Sequence, residues 1–235
     1  MKMKSTRVSL FIALLTSLAL VPPVLFSENP PTTKDEQASL TPDAVLVDLL
    51  AGNARYAAGE LTLRDIRAEV AASAGGQYPK AVILSCIDSR VPVEQVFDQG
   101  IGDLFVARVA GNVENEDIIG SMEFATKAAG ARLVMVLGHG SCGAVMGACD
   151  GVELGNLTGL LGKIRPAVES TIGVEGERNS KNAAFVAKVI EANVRRTVAD
   201  IRASSKILAE LESSGKIRIV GAVYSMDEGK VVILK

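Results

Sequence analysis

The chain has no tryptophan, a single histidine and three cysteines in 235 residues, and aromatic side chains make up only 4% of it. Each shortage excludes something. Three is an odd number of cysteines, and the spacings from Cys86 to Cys142 to Cys149 do not resemble a disulfide framework. No Cys-x-x-Cys pair occurs, which argues against a thiol redox protein. The formal net charge is only −2 and no candidate helix carries a cluster of basic residues, so nucleic acid is not an expected partner. Internal repeats are absent too.

One long apolar run is present, at the start. A basic stretch, Met1 to Arg7, precedes apolar residues at 8–21 and a polar region after them, the layout of a secretory signal peptide. Pro22 and Pro23 interrupt the run before it reaches the roughly 18 residues of a membrane span, which disfavours an uncleaved anchor. Cleavage is expected after Ser27, and the absence of a following cysteine speaks against a lipid anchor. Residues 1–27 are therefore read as a signal peptide, and 28–42, rich in Pro, Thr and charge, as a flexible leader. Residues 43–235 form one domain. The expected location is the periplasm or the exterior, with no stable membrane anchor once the signal is removed.

The scarce residues are grouped. His139 stands three positions before Cys142 in Gly138-His139-Gly140-Ser141-Cys142, and Cys86 opens Cys86-Ile87-Asp88-Ser89-Arg90. Two thiolates and an imidazole suit zinc, and three protein ligands leave a fourth position for water or substrate. Asp88 and Arg90 add a charged pair beside that position, which a closed structural site would not need. An ordinary surface ion pair is the plainer alternative for these two. Cys149, two helical turns after Cys142, reads as a small buried hydrophobe rather than a ligand.

Continuous apolar runs at 79–85 and 133–138 read as buried parallel strands, each ending at a candidate ligand. In open α/β sheets, sites gather beyond the carboxyl ends of strands. Further strands are expected at 104–108, 217–224 and 231–234, the last at an edge. Helices are expected near 43–58, 62–73, 115–129, 142–149 and 180–213. In the last of these, Val186, Val189, Ile190, Val194, Val198 and Ile201 form a stripe that reads as core.

The pattern Cys-x-Asp-x-Arg, with His-x-x-Cys beginning 53 positions after the first cysteine, resembles the β-class carbonic anhydrases. Segments 50–56, 102–108, 110–112 and 219–224 are similar to that family as well, so the resemblance covers the chain from about Asp43 onward. It implies an α/β fold with a central, mostly parallel sheet flanked by helices. It also implies one zinc ion per chain, and reversible hydration of carbon dioxide to bicarbonate and a proton. Cys86, His139 and Cys142 would hold the metal. Asp88 would accept a hydrogen bond from the activated water, and in the family's closed form it becomes a fourth ligand. Arg90 would hold Asp88 off the metal through a bidentate pair.

Pocket positions implied by the resemblance are Gln77, reaching the substrate of a neighbouring subunit, and Phe105, Ala110 and Phe124. Plain packing is the alternative for both phenylalanines. Arg108 and Asn112 match scaffold positions. Closed, bicarbonate-regulated members carry a tryptophan just before the first zinc cysteine. Ile83 stands near that place here, which favours the open form. Two thiolates cancel the zinc charge, so bound water should ionise above the pH of about 7 seen with three histidines. The family's assembly implies a homodimer or a dimer of dimers. An N-terminal helix whose apolar face includes Leu46, Leu49 and Leu50 would lie across the partner, although that face equally fits packing on its own subunit. Carbon disulfide or carbonyl sulfide could replace carbon dioxide in the same site. A non-catalytic module stabilised by zinc is the remaining alternative.

Overall fold

The structure, a computed structural model, describes residues 30–235; the expected signal peptide lies outside the described residues. The described elements are, in chain order, α1 (Lys34–Ser39), α2 (Pro42–Ala58), α3 (Ile66–Ser73), β1 (Ala81–Ser85), α4 (Val93–Val96), β2 (Leu104–Arg108), α5 (Glu116–Glu123), β3 (Leu133–His139), α6 (Gly143–Cys149), α7 (Gly155–Ser170), α8 (Ala183–Ser204), α9 (Lys206–Ser213), β4 (Arg218–Tyr224) and β5 (Val231–Ile233).

Every residue of β1 and β3 is buried, as unbroken apolar runs demand of strands covered on both faces. The sheet order is β2-β1-β3-β4-β5. The first four strands run parallel, and β5 pairs antiparallel with β4 at the edge. Alternation along the strands sorts their side chains onto two faces. Ala81, Ile83, Met135 and Leu137 pack with Val45, Leu46 and Leu49 of α2 and Phe97 after α4. Val82, Leu84, Val134 and Val136 pack against α5, α8 and α9 on the other face. A third cluster joins α6, α7 and the start of α8 around Cys86 and Cys142. Among the described residues, no helix is long and apolar enough to cross a membrane.

Three expectations need correction. The leader expected to be flexible over 28–42 is structured within the described residues. Thr33 and Glu36 form a capping box at the start of α1, and α2 begins at Pro42, capped by Thr41. Buried Gln37 donates from Nε2 to the Pro79 and Ala129 carbonyl oxygens at 2.7 and 2.8 Å, pinning α1 to the domain. Its Pro and Thr content suggested looseness, but Thr33 and Thr41 serve as caps and Pro42 opens α2. The single helix expected at 180–213 is two, because Ser205 is extended (φ −122, ψ 105) and caps α9 by accepting from the Leu208 amide. Finally, α7 was not anticipated. Gly155, Gly159, Gly162 and Pro166 weaken its local helical signal, and burial of Leu161, Ile164 and Ala167 supplies what propensity does not.

Candidate metal centre

β1 and β3 are direct neighbours, with Ser85 opposite Leu137. Their carboxyl ends therefore bring Cys86, the residue after β1, beside His139, the last residue of β3. The chain then turns through Ser141, in a left-handed conformation (φ 52), and Cys142 becomes the N-cap of α6. The three ligand atoms lie within 4.8 Å of one another, and the Cys86 and Cys142 sulfurs are 4.0 Å apart. Among the described residues, this is the one group of three or more His, Cys, Asp or Glu side chains placed to hold a metal ion.

The imidazole is fully buried. Its Nδ1 is 2.8 Å from the Gly140 carbonyl oxygen, an acceptor, so the proton resides on Nδ1. That leaves a lone pair on Nε2, which is buried without a hydrogen-bond partner. A buried, unpaired nitrogen facing two sulfurs is a donor set that fits zinc. Gly138 lets α8 approach the end of β3, since a Cβ there would sit 2.5 Å from Val194 Cγ2.

The two thiols are not equivalent. The hydrogen bond from Cys142 lowers Cys86 to about 4, with help from the Gly111 amide. The same bond and burial push Cys142 well above the usual thiol range. Cys86 is thus the sulfur more readily deprotonated, and a divalent ion would favour the thiolate form of both.

Asp88 stands beside the triad. Arg90 donates from Nε to Oδ1 at 2.9 Å and from Nη2 to Oδ2 at 2.8 Å, and the Arg90 amide adds a third bond to Oδ1 at 3.0 Å. Arg90 thereby holds the carboxyl well below the usual carboxylate range. Asp88 Oδ2 is 3.9 Å from His139 Nε2, close to the ligands yet committed to the arginine. Arg108, expected as scaffold, donates to the Cys86 carbonyl at 2.8 Å and the Asp88 carbonyl at 2.6 Å, fixing the backbone that carries both.

The pocket positions divide. Ala110 opens the tight turn Ala110–Asn112, whose Gly111 amide donates to Cys86 Sγ at 3.3 Å, so it borders the triad. Phe105 and Phe124 meet edge-on with centroids 6.1 Å apart, in a groove along β2 that includes none of the triad residues. Gln77 is exposed and precedes β1, at the opposite end of the sheet from the triad. Cys149 is half-buried at the end of α6, packed on the third cluster. Sequence reading passed over Asn193, a polar interruption in the apolar stripe of α8 that reaches the same turn.

A buried Cys–His–Cys cluster with a clamped carboxylate beside it, at the carboxyl ends of parallel strands, is placed to hold a metal ion. The carbonic anhydrase family profile matches residues 81–231. Carbonic anhydrase 2 of Mycobacterium tuberculosis is 39% identical over 198 residues, 82% of this chain and 92% of that protein. The carbonic anhydrase of Mycolicibacterium smegmatis is 35% identical over 181 residues, 77% and 87% of the two chains. Among solved structures, the β-carbonic anhydrase CafA of Aspergillus fumigatus superposes with a TM-score of 0.63 at 22% identity, covering 82% of this chain and 90% of that one. Tetrameric β-carbonic anhydrases of Sordaria macrospora give 0.60 at 21%, over 68% and 83%. The fold is that of the β-carbonic anhydrases, and this chain belongs to the carbonic anhydrase family.

Proposed function

We propose that this protein is a carbonate dehydratase, catalysing the reversible hydration of carbon dioxide to bicarbonate and a proton, with one zinc ion per chain held by Cys86, His139 and Cys142. The observation that carries the reading is the buried, unpaired His139 Nε2 facing two sulfurs, with Asp88 clamped beside them rather than counted among the ligands. Bound zinc would supply the Lewis acidity that lowers the pKa of a water toward neutrality. The chain's own residues supply orientation. Asp88 stays ionised and accepts a hydrogen bond from the attacking water, aiming its lone pair at the carbon. Arg90 satisfies the carboxylate and would keep it from joining the ligands of a bound ion. A zinc-stabilised module without catalysis would not need this clamp.

The pocket is completed by self-association, as homodimers or dimers of dimers. Strand β2 is an uncovered sheet edge, and Phe124 beside it is 57% exposed. Helix α3 also turns Ile66 and Val70 outward while burying Glu69. A second copy on this flank would cover that apolar surface and bring Gln77, Phe105 and Phe124 toward a partner's site. The basic and apolar layout of residues 1–27 supports export to the periplasm or beyond.

Zinc analysis of purified protein, with stopped-flow measurement of carbon dioxide hydration, tests the activity. Carbon disulfide and carbonyl sulfide assayed alongside identify the substrate. A zinc-loaded protein that does not accelerate carbon dioxide hydration overturns the reading.

A further inference from the structure

Asn193 lies in the middle of α8 and is 2% exposed, flanked by the buried apolar residues Val189, Ile190 and Val194. An amide in that position needs a partner to offset its desolvation. It has one outside its own helix: Nδ2 donates to the Gly111 carbonyl oxygen at 2.8 Å. Gly111 in turn donates its amide to Cys86 Sγ at 3.3 Å.

The turn between them has little freedom. Gly111 and Asn112 are both left-handed (φ 72 and 46), and a Cβ on Gly111 would lie 2.5 Å from Ile164 Cδ1. Residue 111 is thus held on three sides, by α7 packing, by the Asn193 amide and by the cysteine sulfur.

We propose that Asn193 is a positioning residue for the metal centre, holding Gly111 so that its amide points at the Cys86 sulfur. This rests on the Cys–His–Cys metal reading. An N–H···S bond draws electron density from a thiolate and satisfies one of its lone pairs. In a site where two thiolates already cancel the charge of a zinc ion, that withdrawal preserves acidity at the metal. It also holds the sulfur in one orientation, which favours metal binding.

The test uses the full-length, metal-loaded protein with Asn193→Leu, which keeps the volume and removes the donor. Thr197→Val, one turn further along the same buried face, is the control. Zinc affinity is measured by competition with a chelator. Asn193→Leu should raise the dissociation constant about 10–100-fold, the range for removing an outer partner of a ligand, while Thr197→Val leaves it unchanged. Because the variant could fail to fold, the wild-type protein is also loaded with NMR-active cadmium. The Gly111 amide proton should then show scalar coupling to the metal through Cys86 Sγ, and Asn193→Leu should lose it. No coupling in the wild type overturns the proposal, as does an Asn193→Leu affinity equal to that of Thr197→Val. A chain that takes up no cadmium at the triad overturns the metal reading and this inference with it.

Discussion

Cys86 and Cys142 bring their sulfurs to 4.0 Å of each other across 56 residues of chain. Two sulfurs each about 2.3 Å from a tetrahedral zinc stand about 3.8 Å apart, so the pair already has the separation of two ligands on one ion. Purified protein should carry one zinc per chain, and Cys142→Ser should lower both metal content and turnover. Elemental analysis checks this. Stoichiometric zinc with full turnover in that variant would remove Cys142 from the ligand set.

Asp88→Asn should keep the metal and lose the oriented acceptor. Turnover should drop by roughly 100-fold or more, the scale of a positioned acid–base group. Arg90→Ala should release a carboxylate that stands 3.9 Å from His139 Nε2, free to take the fourth position. The expected product is a metal-loaded, inactive protein. Steady-state rates beside zinc content check both variants, and a wild-type rate for Asp88→Asn would end the role given to Asp88.

The lone histidine has neither nitrogen to spare for proton transport. Nδ1 is bonded to Gly140 and Nε2 faces the sulfurs. Protons leaving the site must use water, carboxylates or buffer. Turnover should therefore climb with the concentration of a small buffer such as imidazole, and with pH along a simple sigmoid. A rate already maximal at low buffer would reveal an internal relay. A steep, bicarbonate-dependent loss at mildly acidic pH would show a closed state despite Ile83 standing near the family's tryptophan position.

Asp98 is a buried acid away from the metal centre, with Arg55 Nε at 2.5 Å and the Thr62 hydroxyl at 2.7 Å. Burial raises its pKa, but the bonds from Thr62 and Arg55 prevail, and the net shift is downward. A lowered folded-state pKa stabilises above the unfolded value of about 3.9, and the contribution disappears as pH falls through the folded value. Asp98→Asn preserves the shape and tolerates the left-handed φ of 48. Near neutral pH it should cost about 1–2 kcal/mol, between an exposed and a buried ion pair, because the Arg55 side chain is itself 39% exposed. The gap from wild type should begin to narrow below about pH 4, as the unfolded chain protonates, and close once pH falls through the lowered folded value. Urea unfolding at several pH values checks this; a gap constant from neutral to acidic pH would contradict it.

Phe124→Asp should weaken self-association, since it sets a charge beside the free edge of β2 and spares the Cys–His–Cys cluster. Light scattering should show a smaller assembly at equal protein concentration. An unchanged mass would place the interface elsewhere.

The strands and the ligand triad were legible because both signals are local. Apolar runs ending at Cys86 and His139 show buried strands and strand-end ligands together, and Arg90 lies two residues from the carboxylate it grips. What escaped was carried by tertiary contact. Helix α7 is rich in glycine and is stabilised by packing of Leu161 and Ile164. Gln37 reads as a polar residue in a loose segment until the Pro79 and Ala129 carbonyls are seen on either side of it. The link from Asn193 to Gly111 spans 82 residues, and its one trace in the sequence is a polar residue in an apolar stripe.

Direct backbone pairing of β1 with β3 has an evolutionary corollary. The chain between Cys86 and His139 makes an excursion through α4, β2 and α5, out to the sheet edge and back. Lengthening or trimming that excursion would leave the two ligands where the strand register puts them. Relatives can therefore diverge in linear spacing while keeping the same metal geometry, so a search keyed to a fixed interval would overlook kin that a search for two strand-end motifs would recover.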